Sequence, residues 1–193
     1  MAQFGLPPNG GKERTFAIYR DTLVWDTATT LAEEKLFVSG INKGAEYQNY
    51  VLGQHLTTLV TIIGLRVVDD MVFNATGATA AARNRYYENS SFLQFRKEGK
   101  EYAEIPIAYA KSQIGYNNSG AAVREKFEEF YELPDKVQVV PGGRTELVFK
   151  PGRSIATLTP IGYVPNYWGA ALTTDLGNWL RVELLCVTEQ YVV

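Results

Sequence analysis

The segment from Asn178 to Val193 constrains this chain more than any other. Leu180, Val182, Leu184 and Cys186 recur there at every second position, opposite Trp179, Arg181, Glu183 and Leu185. Successive side chains point to opposite faces only in a strand, so a period of two predicts a long β-strand with one apolar face. Such a face needs a second layer to cover it. The same alternation returns in shorter segments. Arg14–Arg20 places Phe16 and Ile18 on one side, and Arg144–Lys150 places Thr145, Leu147 and Phe149 on one face. Lys35–Val38, Phe92–Phe95, Glu101–Ala108, Lys136–Val140 and Arg153–Leu158 read as further strands. Leu56–Val68 is a long β-branched run in which Gly64 predicts a bulge or bend. Pro106 has no N–H for a ladder, so its strand lies at an edge or stops there.

Turn chemistry separates these runs: Ser39-Gly40, Pro141-Gly142-Gly143 and Pro151-Gly152. Two segments break the period. Val123, Phe127, Phe130 and Tyr131 stand at helical spacing, which predicts a helix over Ala121–Leu133 between Asn118-Ser119-Gly120 and Pro134. Thr79–Glu88, rich in Ala and Arg, predicts a second short helix. Residues 1–13, with Pro7-Pro8-Asn9-Gly10-Gly11, read as an N-terminal arm carrying two apolar handles, Phe4 and Leu6. The remaining 14–193 are within the size of one all-β domain. The expected fold is mostly β, an antiparallel sandwich or barrel of jelly-roll type with one or two short helices in its connections; an open barrel and an α+β fold are the alternatives.

Chemistry-bearing residues are sparse. His55 is the only histidine, and it stands in Gly53-Gln54-His55-Leu56, at the start of a strand. A Ser-His-Asp or Cys-His device would have to recruit it, and Cys186 lies mid-strand on an apolar face. A metal site of the kind built from several histidines and a carboxylate on neighbouring strands lacks its ligands. Asp69 and Asp70 offer a calcium site only if a turn brings them together, because strand neighbours point apart. Glu33-Glu34 and Glu128-Glu129 read as solvated surface rather than as a glycosidase pair. Asn9-Gly10-Gly11-Lys12 lacks phosphate-loop spacing, and no cofactor is expected. The triplets Asn74-Ala75-Thr76, Asn89-Ser90-Ser91 and Asn117-Asn118-Ser119 are expected to stay unmodified, since Met1-Ala2-Gln3 opens without a secretory leader's pattern. The single cysteine fits a reducing compartment.

A net charge of −2 with interspersed signs argues against direct nucleic-acid binding. The densest basic stretch, Arg83–Arg85 with Arg96, Lys97 and Lys100, is broken by aromatics and carboxylates. The run Leu59–Leu65 is far short of the ~20 apolar residues a membrane-spanning helix needs. The most suggestive loop is Ile161–Gly169, where Tyr163, Tyr167 and Trp168 sit among Pro and Gly. Such aromatics plug a sandwich end, contact another subunit or stack on a sugar ring.

An N-terminal arm, a set of alternating strands, the segments Phe92-Leu93-Gln94-Phe95 and Gly99-Lys100-Glu101-Tyr102-Ala103-Glu104-Ile105-Pro106, and the closing Asn178-Trp179-Leu180-Arg181-Val182-Glu183-Leu184-Leu185 carry a likeness in layout over most of 14–193. The chain resembles the jelly-roll capsid proteins of tailless icosahedral bacteriophages, single-barrel type. That resemblance implies a non-enzymatic coat subunit of a virion, assembled in the host cytoplasm. It also implies that the chain's partners are its own copies and other capsid proteins, with an internal membrane nearby in the membrane-containing phages. Phe4, Leu6, Tyr163, Tyr167 and Trp168 are the expected contact residues. The rival reading is a carbohydrate-binding sandwich that uses the same loop aromatics.

Overall fold

In the computed structural model the first and last described strands lie side by side. Strand β1 (Lys12–Trp25) pairs antiparallel with β10 (Asn178–Tyr191) over the full 14 residues of each, without a register shift. The structure describes residues 12–25, 31–38, 48–52, 59–70, 86–111, 115–116, 122–123, 130–140, 142–152 and 178–191. Between β1 and β10, in chain order, come β2 (Glu34–Leu36), β3 (Leu59–Asp70), a helical turn α1 over residues 86–90, β4 (Phe92–Lys97) and β5 (Lys100–Pro106). Next are α2 (Ile107–Ala110), a small hairpin of β6 (Gly115–Tyr116) and β7 (Ala122–Val123), then β8 (Tyr131–Val139) and β9 (Thr145–Lys150). Two four-stranded antiparallel sheets result, one in the order β1-β10-β3-β8 and the other β2-β9-β4-β5. With the β6–β7 hairpin set aside, the described strands pair from the outside in: β1 with β10, β2 with β9, β3 with β8 and β4 with β5. The β10–β3 and β9–β4 ladders join these pairs into the two sheets.

The core lies between the sheets. Strand β10 contributes Leu180, Val182, Leu184 and Cys186, the face expected from its alternation, and β9 contributes Leu147 and Phe149. Strand β3 needs a device to do the same. Its inward residues are Val60 and Ile62 in the first half but Leu65 and Val67 in the second, so their parity changes along the strand. Leu185 pairs with Gly64 while Cys186 pairs with Ile62, which makes Ile63 the extra residue of a bulge beside the expected Gly64. Because the side-chain period is two, one inserted residue turns the second half over. Both apolar halves thereby face inward.

The sheet margins follow from local chemistry. Strand β5 is the edge that Pro106 predicted, and it ends there. Strand β8 is the edge of the other sheet; its pairing passes from Gly64–Glu132 to Ile62–Val137, so the excursion opposite Ile63 contains Pro134. Gly142, at φ +73 in the expected turn, takes the left-handed backbone that glycine adopts freely. Gly152 is required for space, since a Cβ there would meet Ser90 Oγ at 2.1 Å.

One expectation is overturned. The helix predicted over Ala121–Leu133 is strand at Ala122–Val123 and again from Tyr131, whose backbone pairs with Leu65. Tyr131 and Glu132 pair with β3 and Leu133 beside them is buried in the core, a tertiary gain that outweighs a helical spacing only part of the segment carried. Of the second expected helix, Thr79–Glu88, only residues 86–88 are described, and they are helical in a turn that runs on to residue 90. Strand β1 begins at Lys12, two residues earlier than the sequence suggested. Arg153–Leu158 lies outside the described residues. No helix among the described residues is long and apolar enough to cross a membrane.

The bulge assignment has a direct test. Leu65→Ala, at a fully buried position, is expected to cost about 2–5 kcal/mol in urea unfolding, whereas Val68→Ala on the opposite face costs under about 1 kcal/mol. Equal losses would mean that β3 does not turn over at Ile63.

Candidate functional site

Three polar arrangements stand out among the described residues. The first lies near β3's end, where Lys111 bridges Val67 of that strand. Asp69 occupies an inward position on β3, and its side chain is only 3% exposed. Lys111, directly after α2, places Nζ 2.9 Å from Asp69 Oδ1 and 2.6 Å from Glu88 Oε1. Tyr87 of α1 donates its hydroxyl to Asp69 Oδ2 at 2.8 Å. Burial acts to lower the Lys111 pKa, but attraction to Asp69 and hydrogen bonds to Glu88 and Asp69 outweigh it and raise the pKa above its ordinary value. Burial, then the Asp69 charge and the hydrogen bond to it, push the Tyr87 phenol well up. Lys111 therefore stays an ammonium and Tyr87 a neutral donor. The Asp69 carboxylate is engaged by both rather than presented to a calcium ion, and of Asp70 only the backbone is described.

The second arrangement centres on Asp21 of β1, fully buried on the inward face. Its Oδ1 accepts from Thr22 N at 2.7 Å, and its Oδ2 accepts from Phe37 N and from Gln48 Nε2. Phe37 follows β2 with φ +57, a left-handed backbone that costs a residue with a Cβ about 1–2 kcal/mol. The charge-assisted bond from its own N–H offsets part of that cost. Asp21 thus resembles Asp69 in being a buried carboxylate of the β1 sheet that accepts from donors distant in sequence, and its Phe37 donor directly follows β2 of the other sheet.

The third is a concavity of about 430 Å³ where β2 ends and the β8–β9 turn comes up beside it. Leu36, Phe37 and Leu52 give it an apolar wall, and Gly143, Arg144, Thr145 and Glu146 a polar one. Glu146 Oε1 lies 2.9 Å from Lys35 Nζ and 3.2 Å from Arg144. The hydrogen bond from Lys35, supported by Arg144 and opposed by burial, lowers the Glu146 pKa, so it is a poor proton acceptor at neutral pH. Thr145 Oγ1 is buried there with no hydrogen-bond partner among the described residues, and no base is described beside it to activate it. The arrangement can hold a small amphipathic group; it shows no nucleophile–base pair.

The sequence-derived candidates fall out unevenly. Phe4, Leu6, Tyr163, Tyr167 and Trp168 lie outside the described residues, as do His55, Arg83–Arg85, Glu128-Glu129 and the triplets at Asn74 and Asn117. Cys186 is buried in the core, where burial pushes its thiol pKa up and leaves it unreactive. Glu33 pairs with Arg96, and Lys97 sits over the Tyr102 ring, so the described part of the basic stretch serves its own sheet. No group of three or more His, Cys, Asp or Glu side chains is placed to hold a metal among the described residues. Asp21 and Asp69 were missed as buried ties to distant segments. The signal was present: each interrupts a row of inward positions with a charge, and an acid there needs a partner. Compared with family models, curated proteins and solved structures, the chain matches none.

Alkaline titration tests the Lys111 tie. Lys111 and Tyr87 both have folded-state pKa values above their unfolded ones, near 10.5 and 10.0, so their contribution is fully present below about pH 10 and is lost as pH rises through the folded values. Stability should be level up to that pH and fall beyond it. Lys111→Met, which strands the Asp69 charge, should cost about 3–5 kcal/mol at pH 7. A variant as stable as the parent would show that Asp69 does not depend on Lys111.

Proposed function

We propose that this chain is a jelly-roll coat subunit resembling those of tailless icosahedral bacteriophages of the single-barrel type, which assembles through arm and loop contacts with its own copies and with other capsid proteins. The observation that carries the reading is the outside-in pairing of the strands, β1 with β10 through β4 with β5, with alternate pairs assigned to alternate sheets. A double-sheet jelly roll is a long antiparallel ribbon wrapped in this manner, and it is the architecture of many viral capsid and lectin domains. Folds host unrelated functions, so the choice between a capsid and a lectin rests on chemistry. Asp21, Asp69 and Glu146 are each engaged in internal hydrogen bonds or ion pairs, which fits a chain whose carboxylates serve its frame. The apolar arm handles Phe4 and Leu6 and the loop aromatics Tyr163, Tyr167 and Trp168 are the sequence's own offer of subunit contacts.

Native mass spectrometry and electron microscopy of the purified full chain test the proposal. Discrete capsomer-sized oligomers or closed shells are expected as concentration rises. A species that remains monomeric at high concentration across salt and pH ends the reading, and binding on a glycan array by that monomer would favour the carbohydrate-binding sandwich instead.

A further inference from the structure

The concavity at the end of β2 combines an apolar wall with an unsatisfied hydroxyl. Leu36 and Phe37, each 1% exposed, form part of that wall, and Val51 and Leu52 continue it. Thr145 lines the concavity from the start of β9, two and four positions before the core residues Leu147 and Phe149. The residue is only 5% exposed, and its Oγ1 is buried with no hydrogen-bond partner among the described residues. A buried hydroxyl in that state has given up water without replacing it, so it still has a donor and an acceptor to offer.

The walls are held in place by the chain itself. Phe37 N donates to Asp21, and Phe37 O accepts from Leu52 N at 2.9 Å, which fixes the apolar side. On the polar side Arg144 N donates to Glu98 Oε1 at 3.0 Å, and Glu98 N donates to Arg144 O at 2.9 Å. Glu146 accepts from both Lys35 and Arg144. A site whose walls are already fixed loses little to ordering when a ligand arrives. Its volume of about 430 Å³ lies within the range of small-molecule sites, which join an apolar lining to a few polar groups.

We infer that this concavity binds a small uncharged amphipathic molecule, an aliphatic or aromatic body bearing one hydroxyl. The body packs against Leu36, Phe37 and Leu52, and the hydroxyl bonds to Thr145 Oγ1. A hydroxyl suits Thr145 because each can donate to the other and accept from it. An ionised head would have to leave water beside Leu36 and Phe37, at a cost far above what one neutral hydrogen bond gives back. At the rim, Arg144 is already paired with Glu146. A wholly apolar molecule would leave Thr145 unsatisfied. The inference rests on the concavity and is independent of the coat-subunit reading.

The test titrates benzyl alcohol, toluene and benzoate into the full chain and follows binding by NMR. Benzyl alcohol is expected to bind about 5- to 10-fold more tightly than toluene, and benzoate more weakly than benzyl alcohol. Thr145→Val keeps the shape of the side chain and removes its hydroxyl. It should abolish the preference for benzyl alcohol while leaving the affinity for toluene unchanged. In methyl-labelled parent protein, the bound ring should give NOEs to the methyl groups of Leu36, Val51 and Leu52. The inference is overturned if benzyl alcohol does not bind, if toluene or benzoate binds as tightly, or if the preference survives Thr145→Val. NOEs to methyl groups elsewhere would overturn it equally. Should the variant fail to fold, the parent's preference and its NOEs decide.

Discussion

The frame depends on burying the apolar faces of β10 and β3 at once. These are the two inner strands of their sheet, each with a neighbour on both sides, and most of the core contributed by that sheet comes from them. Strand β10 does this with an unbroken period of two. Strand β3 cannot, because Ile62, Ile63, Gly64 and Leu65 place its apolar residues out of phase, and the bulge at Ile63 restores the phase. At about 25 cal/mol per Å² of apolar surface, the side chains turned inward by that one residue are worth several kcal/mol, more than a local irregularity in a ladder costs. The irregularity spreads to β8, whose excursion at Pro134 lies opposite the same residue.

Two sheets held only by apolar contact can slide, since burial has no direction. Asp21 and Asp69 supply direction. Each is an acid on the inward face of the β1 sheet that accepts from segments distant in sequence, Asp21 from Phe37 N after β2 and Asp69 from Lys111 and from Tyr87 of α1. Removing one partner of such a tie costs far more than the tie is worth against an apolar substitute. Their value is in fixing one arrangement of the sheets. The Tyr50 ring stacks on Tyr19 with centroids 3.8 Å apart, and its hydroxyl has no hydrogen-bond partner among the described residues.

The charged side chains of the described residues are spent largely on one another. The described carboxylates are matched with cations within the molecule, as in Arg14–Glu189 and in Glu146 with Lys35 and Arg144. On the sheet containing β9 the outward Gln94 and Val148 are buried, and on the sheet containing β1 the outward Phe16 and Ile18 are exposed.

Much of this was written in local pattern. The inward rows of β10 and β9, the irregularity at Gly64, the edge at Pro106 and the turn at Gly142 each depend on residues within a few positions of one another, so periodicity and turn chemistry disclose them before any folding is considered. What the chain could not disclose locally is partnership. Nothing near Phe16 says that its side of β1 is the outer one; that was decided when Ala17 met Cys186 and Tyr19 met Leu184 across the ladder. Tyr131 stands at helical spacing yet lies in a strand because Leu65 was there to pair with it. Asp69 became a tie only when a lysine 42 positions away was brought within 2.9 Å. Side-chain alternation is a property of the backbone itself, whereas the choice of neighbour is a competition in burial and hydrogen bonding among distant segments, settled only when the sheets close.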